Sequence, residues 1–435
     1  MDSNLNPREL LERLYYAAVR RAQPSETLKD FLPAPPKGRT LVLGAGKAAG
    51  AMAYAMEAAW PSDAPMSGLV VTRYHHTPPR PQDIPNRIEV IEASHPVPDQ
   101  ASYEAAARML NLTEGLTEDD LVVCLMSGGG SALLTMPVEG MDLAEKQRIN
   151  QVLLECGADI REINCVRKHI SRIKGGLLAT ACHPARVITL AISDVPGDDV
   201  SVIASGPTVG DASTCADALA ILEKYDIAVP GAVREALEAG RLETPKPNDL
   251  RLSNNEVRLI ATPQQALDAA AVEAKRLGLN VRILGDDIEG ESRVVGMEHA
   301  AMALAFMKNS SVNRTPLLLL SGGETTVTVN TGTKEGARGR GGRAGEFCLG
   351  LAAGLREEAN VWALAADTDG IDGVEGNAGA FVCPDTLARA RDAKLSLSDF
   401  LERNDSYGYF SALNDLFVTG PTHTNVNDFR AILIF

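Results

Sequence analysis

A chain of 435 residues with a formal net charge of −15, 45% hydrophobic residues and only 4% aromatics is too long for one ordinary core and reads as two domains of a soluble α/β protein. The acidic balance repels nucleic-acid phosphates, and so few aromatics offer little for base stacking, so a nucleic-acid partner is not expected. Seven scattered cysteines, odd in number and never in a CxxC pair, suit reduced thiols in a cytoplasm and indicate no zinc site.

In chain order, MDSNLNPRELLERLYYAAVRRA reads as an amphipathic first helix and not as a signal peptide. No apolar run is long enough to span a membrane, so a cytoplasmic protein with no membrane partner is expected. After Pro33 to Pro36, the run RTLVLGAGKAAGAMAYAMEAAW gives strand, glycine turn and helix, the opening of a nucleotide-binding fold. Further strands are expected over 67–73, 87–93, 120–126 and 185–193, with helices between most of them. The proline-bearing segment RLETPKPNDL, 241–250, is the natural boundary, placing domains at 1–245 and 246–435. Beyond it come VRLIA, a helix over PQQALDAAAVEAKRLG, the strand NVRILGD, a helix over 291–308 and the apolar run LLLL ending in SGGE, so the second half has its own β/α alternation.

Two apolar strands empty into glycine turns, LVVCLMSGGGSALL at 121–134 and LLLLSGGE at 317–324. Such turns let successive backbone N–H groups converge on an anion, because no Cβ blocks the approach, although each could equally be a tight connection. The candidates are Ser127, Gly128, Gly129, Gly130 and Ser131 in the first turn and Ser321, Gly322, Gly323 and Glu324 in the second. The run from Gly44 through Gly46 to Ala49 satisfies GxGxxA, but the second strand, ending at Arg73, offers no ribose-binding acid. Lys47 opposes the positive end of the following helix unless an anion sits beside it, the alternative being a solvated lysine. A basic amphipathic helix is expected over 161–176, with Lys168 and Arg172 on one face as a cationic wall or as C-terminal dipole partners. The acidic loops 193–199 and 367–373 follow strands and carry Asp194, Asp367 and Asp369, oxygen donors suited to Mg²⁺ or simply Asx-rich turns.

Taken together, GAGKAA, SHPVPD, SGGGSALL, NCVRKHISRIKGG, SDVPGDDVSVIASGPTVGD, SGGETTVTV, GRGGR, ADTDGIDG and TGPTHTNVND resemble, in order and across nearly the whole chain, the D-glycerate 2-kinases whose carboxyl-terminal half is the MOFRL domain, many of them labelled hydroxypyruvate reductases. The resemblance implies a Rossmann-like amino-terminal α/β domain, a MOFRL-type carboxyl-terminal α/β domain, an active site in the cleft and ATP-dependent phosphorylation of glycerate, with ATP and Mg²⁺ taking part. It carries Lys47 and Arg343 over as basic catalytic residues. Apart from the resemblance, Asp194 is the candidate for orienting the hydroxyl. The family's GGRNQE reads Gly341-Gly342-Arg343-Ala344-Gly345-Glu346 here, so substrate range is open. Open as well are 2- versus 3-phosphorylation, nucleotide preference, homodimer formation, an NAD(P)H-dependent hydroxypyruvate reductase as the rival activity and a non-catalytic sugar-phosphate-binding regulator.

Overall fold

The computed structural model describes residues 6–309, 315–329, 339–356 and 360–435. The chain forms two compact units, one running from Pro24 to Ile260, the other joining the chain start through Gln23 to Ala261–Phe435.

The 24–260 unit is built on a six-stranded sheet of β1 (Thr40–Ala45), β2 (Met66–Arg73), β3 (Ile88–Ala93), β4 (Leu121–Met126), β5 (Arg186–Ile192) and β6 (Asn255–Ala261), in the order β3-β2-β1-β4-β5-β6. The pairings β1–β2, β1–β4, β2–β3 and β4–β5 are all parallel. Every residue of β1 and β4 is buried, as expected of central parallel strands covered by helices on both faces, which is why their sequences are unbroken apolar runs. Gly44 is required inside β1, because a Cβ there would lie 2.4 Å from the Leu125 carbonyl oxygen of β4. The order is that of a doubly wound sheet, and it reverses between β1 and β4. A second apolar cluster, around Ile149, Val166, Ala218 and Leu237, joins the helices Leu143–Glu155, Ile160–His169, Cys215–Lys224 and Gly231–Glu238.

The other unit holds β7 (Asn280–Gly285), β8 (Gly290–Glu291), β9 (Leu317–Ser321), β10 (Thr325–Thr326), β11 (Val361–Asp367), β12 (Gly379–Val382), β13 (Leu416–Phe417) and β14 (Asp428–Ile434). Six of these form a sheet in the order β13-β12-β11-β14-β9-β7, in which only the β7–β9 pair is parallel. The helices Ser292–Asn309 and Arg343–Leu355 carry Val295, Phe347 and Leu351 into one cluster with Leu319 and Ile432 of the sheet.

Two expectations are corrected. The boundary lies at 260/261 and not at 245/246, because β6 completes the first sheet beyond the proline segment. The first helix, Pro7–Arg21, belongs with the carboxyl-terminal unit: Tyr15 packs edge-on against Phe417 and Phe429, and its hydroxyl donates to the Asp367 carbonyl at 3.0 Å. Its apolar face seeks that sheet, which nothing local in the sequence could reveal. Among the described residues no helix is long and apolar enough to cross a membrane.

Candidate active site

In a doubly wound sheet, ligands bind beyond the carboxyl ends of the strands, where the order reverses. The groups gathered at that edge are Lys47 after β1, Arg73 at the end of β2, His95 after β3, residues 127–131 after β4 and Asp194 after β5. The β1 and β4 turns are locked together. Lys47 N donates to the Gly128 carbonyl at 2.8 Å and Ala48 N to Ser127 Oγ at 3.0 Å. Gly46 has φ 139°, and a Cβ there would meet Ser127 Oγ at 2.1 Å. Its space is therefore filled by the neighbouring turn, so the dinucleotide fingerprint at Gly44–Gly46 serves protein packing instead of the pyrophosphate approach that the motif supplies in reductases.

That crossing leaves a different cradle. Gly129 has φ 78°, and a Cβ there would lie 2.9 Å from His95 Nε2 and 3.3 Å from Lys47 Cγ. The Gly128 and Gly129 amides take no protein acceptor among the described residues, and the Lys47 stem and the His95 imidazole lie beside Gly129. Burial, followed by the charges of Lys47, Arg73 and His76, pushes His95 down to about 3, which makes it a neutral imidazole. Sequence reasoning gave His95 no role. Its signal was present in SHPVPD, but nothing in the sequence puts that loop beside Lys47.

The cradle is braced from behind by buried polar groups. Ser131 Oγ lies 2.8 Å from Ser205 Oγ, which donates to Asn164 Oδ1 at 2.9 Å. Ala204 and Ser205 adopt positive φ, 53° and 63°, costly for side-chain-bearing residues and common where a site demands it. Gly130 fits because a Cβ there would lie 2.6 Å from that of Ala204. The buried Lys174 donates to the Ser131 and Leu134 carbonyls at 2.8 and 2.9 Å.

The expected basic helix is shorter than 161–176: it is Ile160–His169. The buried Lys146 ammonium takes the Ile170 carbonyl at 2.8 Å, and Ser171 bridges to Pro137. Lys168 and Arg172 consequently share no helical face. Lys168 is buried in an ion pair with Asp211 at 3.2 Å, whereas Arg172 is exposed. A cationic wall is not what these residues make.

The second glycine turn leads into β10. Gly322 N donates to the Gly285 carbonyl at 2.8 Å, Ser321 Oγ is 3.0 Å from the Nε2 of the buried His299, and at Gly323 a Cβ would lie 2.3 Å from Ile288 N. This turn is close-packed against protein, and Glu324 leaves it to meet Arg343.

Arg343 is the first residue of the helix Arg343–Leu355 and reaches three carboxylates: Asp428 at 2.7 Å, Asp367 at 2.8 Å and Glu324 at 2.5 Å. Burial works against its charge, but Asp428, Asp367 and Glu324 together hold the guanidinium well above its ordinary range. Asp428 also binds the buried Arg430 at 2.5 Å. Asp372 caps the helix start, accepting from Gly345 N at 2.8 Å and Ala344 N at 3.0 Å, and burial pushes it up to about 7 despite those amides. The departure from GGRNQE is legible here: a Cβ at Gly345 would lie 2.5 Å from Ser406 Oγ, and Ala344 is buried. The glycine-rich loop preceding Arg343 lies, for residues 331–338, outside the described residues.

Asp367 and Asp369 both accept bonds within the protein. Asp367 is engaged by Arg343 and by Asp369 N at 3.0 Å, while Asp369 accepts from Ile371 N at 2.9 Å. Asp194, partly exposed, follows β5 at the carboxyl edge of the first sheet.

A doubly wound unit with a glycine turn beside Lys47 and His95 at its switch point, and a mixed-sheet unit with a caged arginine, define a two-unit α/β protein. Residues 10–238 match a domain of unknown function, DUF4147, and residues 317–428 match the MOFRL family. The chain is 51% identical over 99% of its length to an Agrobacterium vitis protein, 95% of which is covered, that carries a provisional hydroxypyruvate reductase name. It is 38% identical to the D-glycerate 2-kinase of Thermotoga maritima, with 93% of each chain covered, and 39% identical to the glycerate 2-kinase of Pyrococcus horikoshii, with 90% of this chain and 86% of the other covered. The crystal structure of a Thermotoga maritima glycerate kinase superposes with a TM-score of 0.86 at 37% identity, covering 98% of this chain and 99% of that one. The chain belongs to the glycerate 2-kinase family of DUF4147 and MOFRL proteins.

Proposed function

We propose that the protein phosphorylates glycerate with ATP, most simply at the 2-hydroxyl, giving 2-phosphoglycerate and ADP. The observation that carries this reading is the cradle at the β1/β4 switch point, where Lys47 and a neutral His95 lie beside the turn that holds the Gly128 and Gly129 amides. Phosphoryl transfer asks for positioning and charge neutralisation more than for covalent chemistry, and a lysine with oriented amides supplies both. The two amides and Lys47 take phosphoryl oxygens, and His95, uncharged, adds a hydrogen-bonding group without excess positive charge. Asp194 is the carboxylate suited to orient the attacking hydroxyl. Mg²⁺ enters as the counter-ion of the ATP phosphates, met by one or two protein carboxylates, the usual pattern for this ion. Arg343, whose charge is met by Asp428, Asp367 and Glu324, is proposed to support activity by holding those carboxylates in place.

The reductase name is disfavoured by Gly46, whose open side is occupied by Ser127, and by the absence of an acid at the end of β2. Cytoplasmic location and small-molecule partners follow from the same reading. Incubation with D-glycerate and MgATP, and separately with hydroxypyruvate and NADH or NADPH, tests it through phosphorus NMR and absorbance. Glycerate-dependent ADP release with 2-phosphoglycerate as product is expected. NADPH oxidation without ADP release under any condition would overturn it.

A further inference from the structure

Away from the cradle, three side chains bearing metal-binding atoms meet in the helical part of the 24–260 unit. His169 ends the helix Ile160–His169, Cys215 begins the helix Cys215–Lys224, and Glu243 lies between the helix Gly231–Glu238 and β6. One ligand atom from each lies within 4.8 Å of the other two. No sequence motif announces them, because the three positions come from three separate segments.

The group is also pre-oriented. His169 Nδ1 lies 2.9 Å from the Cys165 carbonyl oxygen, which can only accept, so Nδ1 carries a proton, and Nε2 lies 3.5 Å from Glu243 Oε1. A histidine whose second nitrogen is held by a carbonyl is the usual support of a metal ligand. The Cys215 amide donates to Glu243 Oε2 at 3.1 Å, so the same residue that offers sulfur aims the carboxylate. His169 and Cys215 are buried while Glu243 is exposed, which leaves an approach from solvent.

We propose that His169, Cys215 and Glu243 form a binding site for a borderline-soft divalent transition ion of the Zn²⁺ type, with water in the fourth position. Nitrogen, sulfur and carboxylate oxygen together select such an ion over Mg²⁺, which prefers oxygen alone. Bonds of about 2.0–2.3 Å require the three atoms to draw slightly closer, a movement the surface side chain of Glu243 can supply. Glu243 then releases Lys246, whose Nζ keeps the Ser213 carbonyl as acceptor. Binding breaks the Cys215 S–H bond and gives its proton to solvent. Because the ligating sulfur must be the thiolate, affinity climbs with pH. The ion would tie together the two helix ends, one of them on the helix that carries Asn164, and the segment leading to β6. The proposal uses none of the residues assigned to phosphoryl transfer.

The experiment uses the full chain, stripped with chelator and dialysed, then titrated with Co²⁺ for a thiolate charge-transfer band and with Zn²⁺ against a chromophoric chelator. One equivalent per chain is expected, tighter at higher pH. Cys215→Ser should abolish the band, Glu243→Gln should weaken Zn²⁺ roughly tenfold or more, and Cys156→Ser, remote from the group, should change neither. If Cys215→Ser does not fold, Glu243→Gln at the surface decides. Absence of stoichiometric binding, binding that survives Glu243→Gln unchanged, or a band lost in Cys156→Ser would overturn the assignment.

Discussion

Replacing Arg343 by alanine should cost stability as well as activity. A glycine-rich sequence around this arginine suggests an exposed position whose removal leaves folding intact, but its side chain is only 18% exposed and touches Asp428 and Asp367, at 1% and 7% exposure. Removing one partner of a buried ion pair costs about 3–5 kcal/mol, because the remaining charge stays desolvated. Asp428 keeps Arg430 at 2.5 Å, so the uncompensated burden falls mainly on Asp367 and the lower figure, about 3 kcal/mol, applies. For a unit of roughly two hundred residues this lowers Tm by about 6–12 °C. The helix dipole, which disfavours a cation at the first position by a few tenths of a kcal/mol, cannot offset it. Glu324 is the contrast: it is 50% exposed, and Glu324→Gln should cost no more than about 1 kcal/mol. The assay is calorimetry and urea unfolding of both variants alongside ADP release. If Arg343→Ala melts with the unaltered protein, or if Glu324→Gln loses as much, the caged-arginine argument is wrong.

Lys47→Ala should lower kcat by about 10²–10³ with an unchanged melting temperature, since the lysine is only half-buried and its loss removes charge at a transferring phosphoryl group; near-normal kcat would count against the cradle. The His95 imidazole resonance should not titrate between about pH 5 and 8, given its pKa near 3, and an NMR midpoint near 6.5 would show it is not the neutral group described. Lys146, pushed down to about 7 by burial, binds fewer protons folded than unfolded between pH 7 and its ordinary value near 10.5, so stability should rise with pH across that window. Urea midpoints of the unaltered protein should show the rise and Lys146→Met should flatten it; parallel curves would refute the assignment. EDTA should abolish activity, Mg²⁺ should restore it, and chelation of the nucleotide-free protein should not lower Tm through Asp367 or Asp369, whose carboxylates are already engaged.

Much of this molecule was legible in the sequence because it is written locally. Each strand of the first sheet is an apolar run bounded by turn residues, so β1 to β5 and the helix Pro263–Arg276 fall where periodicity and caps put them. Lys47 and the 127–131 turn were identifiable as candidates from residue type alone. What residue type cannot specify is which turn faces which. Only the doubly wound order sets β1 beside β4, and that adjacency turns Gly46 into a packing contact with Ser127 and makes Gly129 the point where Lys47 and His95 meet. The same holds for charge. Lys168 and Arg343 read as available cations, yet Asp211, 43 residues away, neutralises one, and Asp428, 85 residues away, helps neutralise the other. A buried charge is set by partners that tertiary packing brings to it, and the energy of that pairing is long-range in sequence while short-range in space.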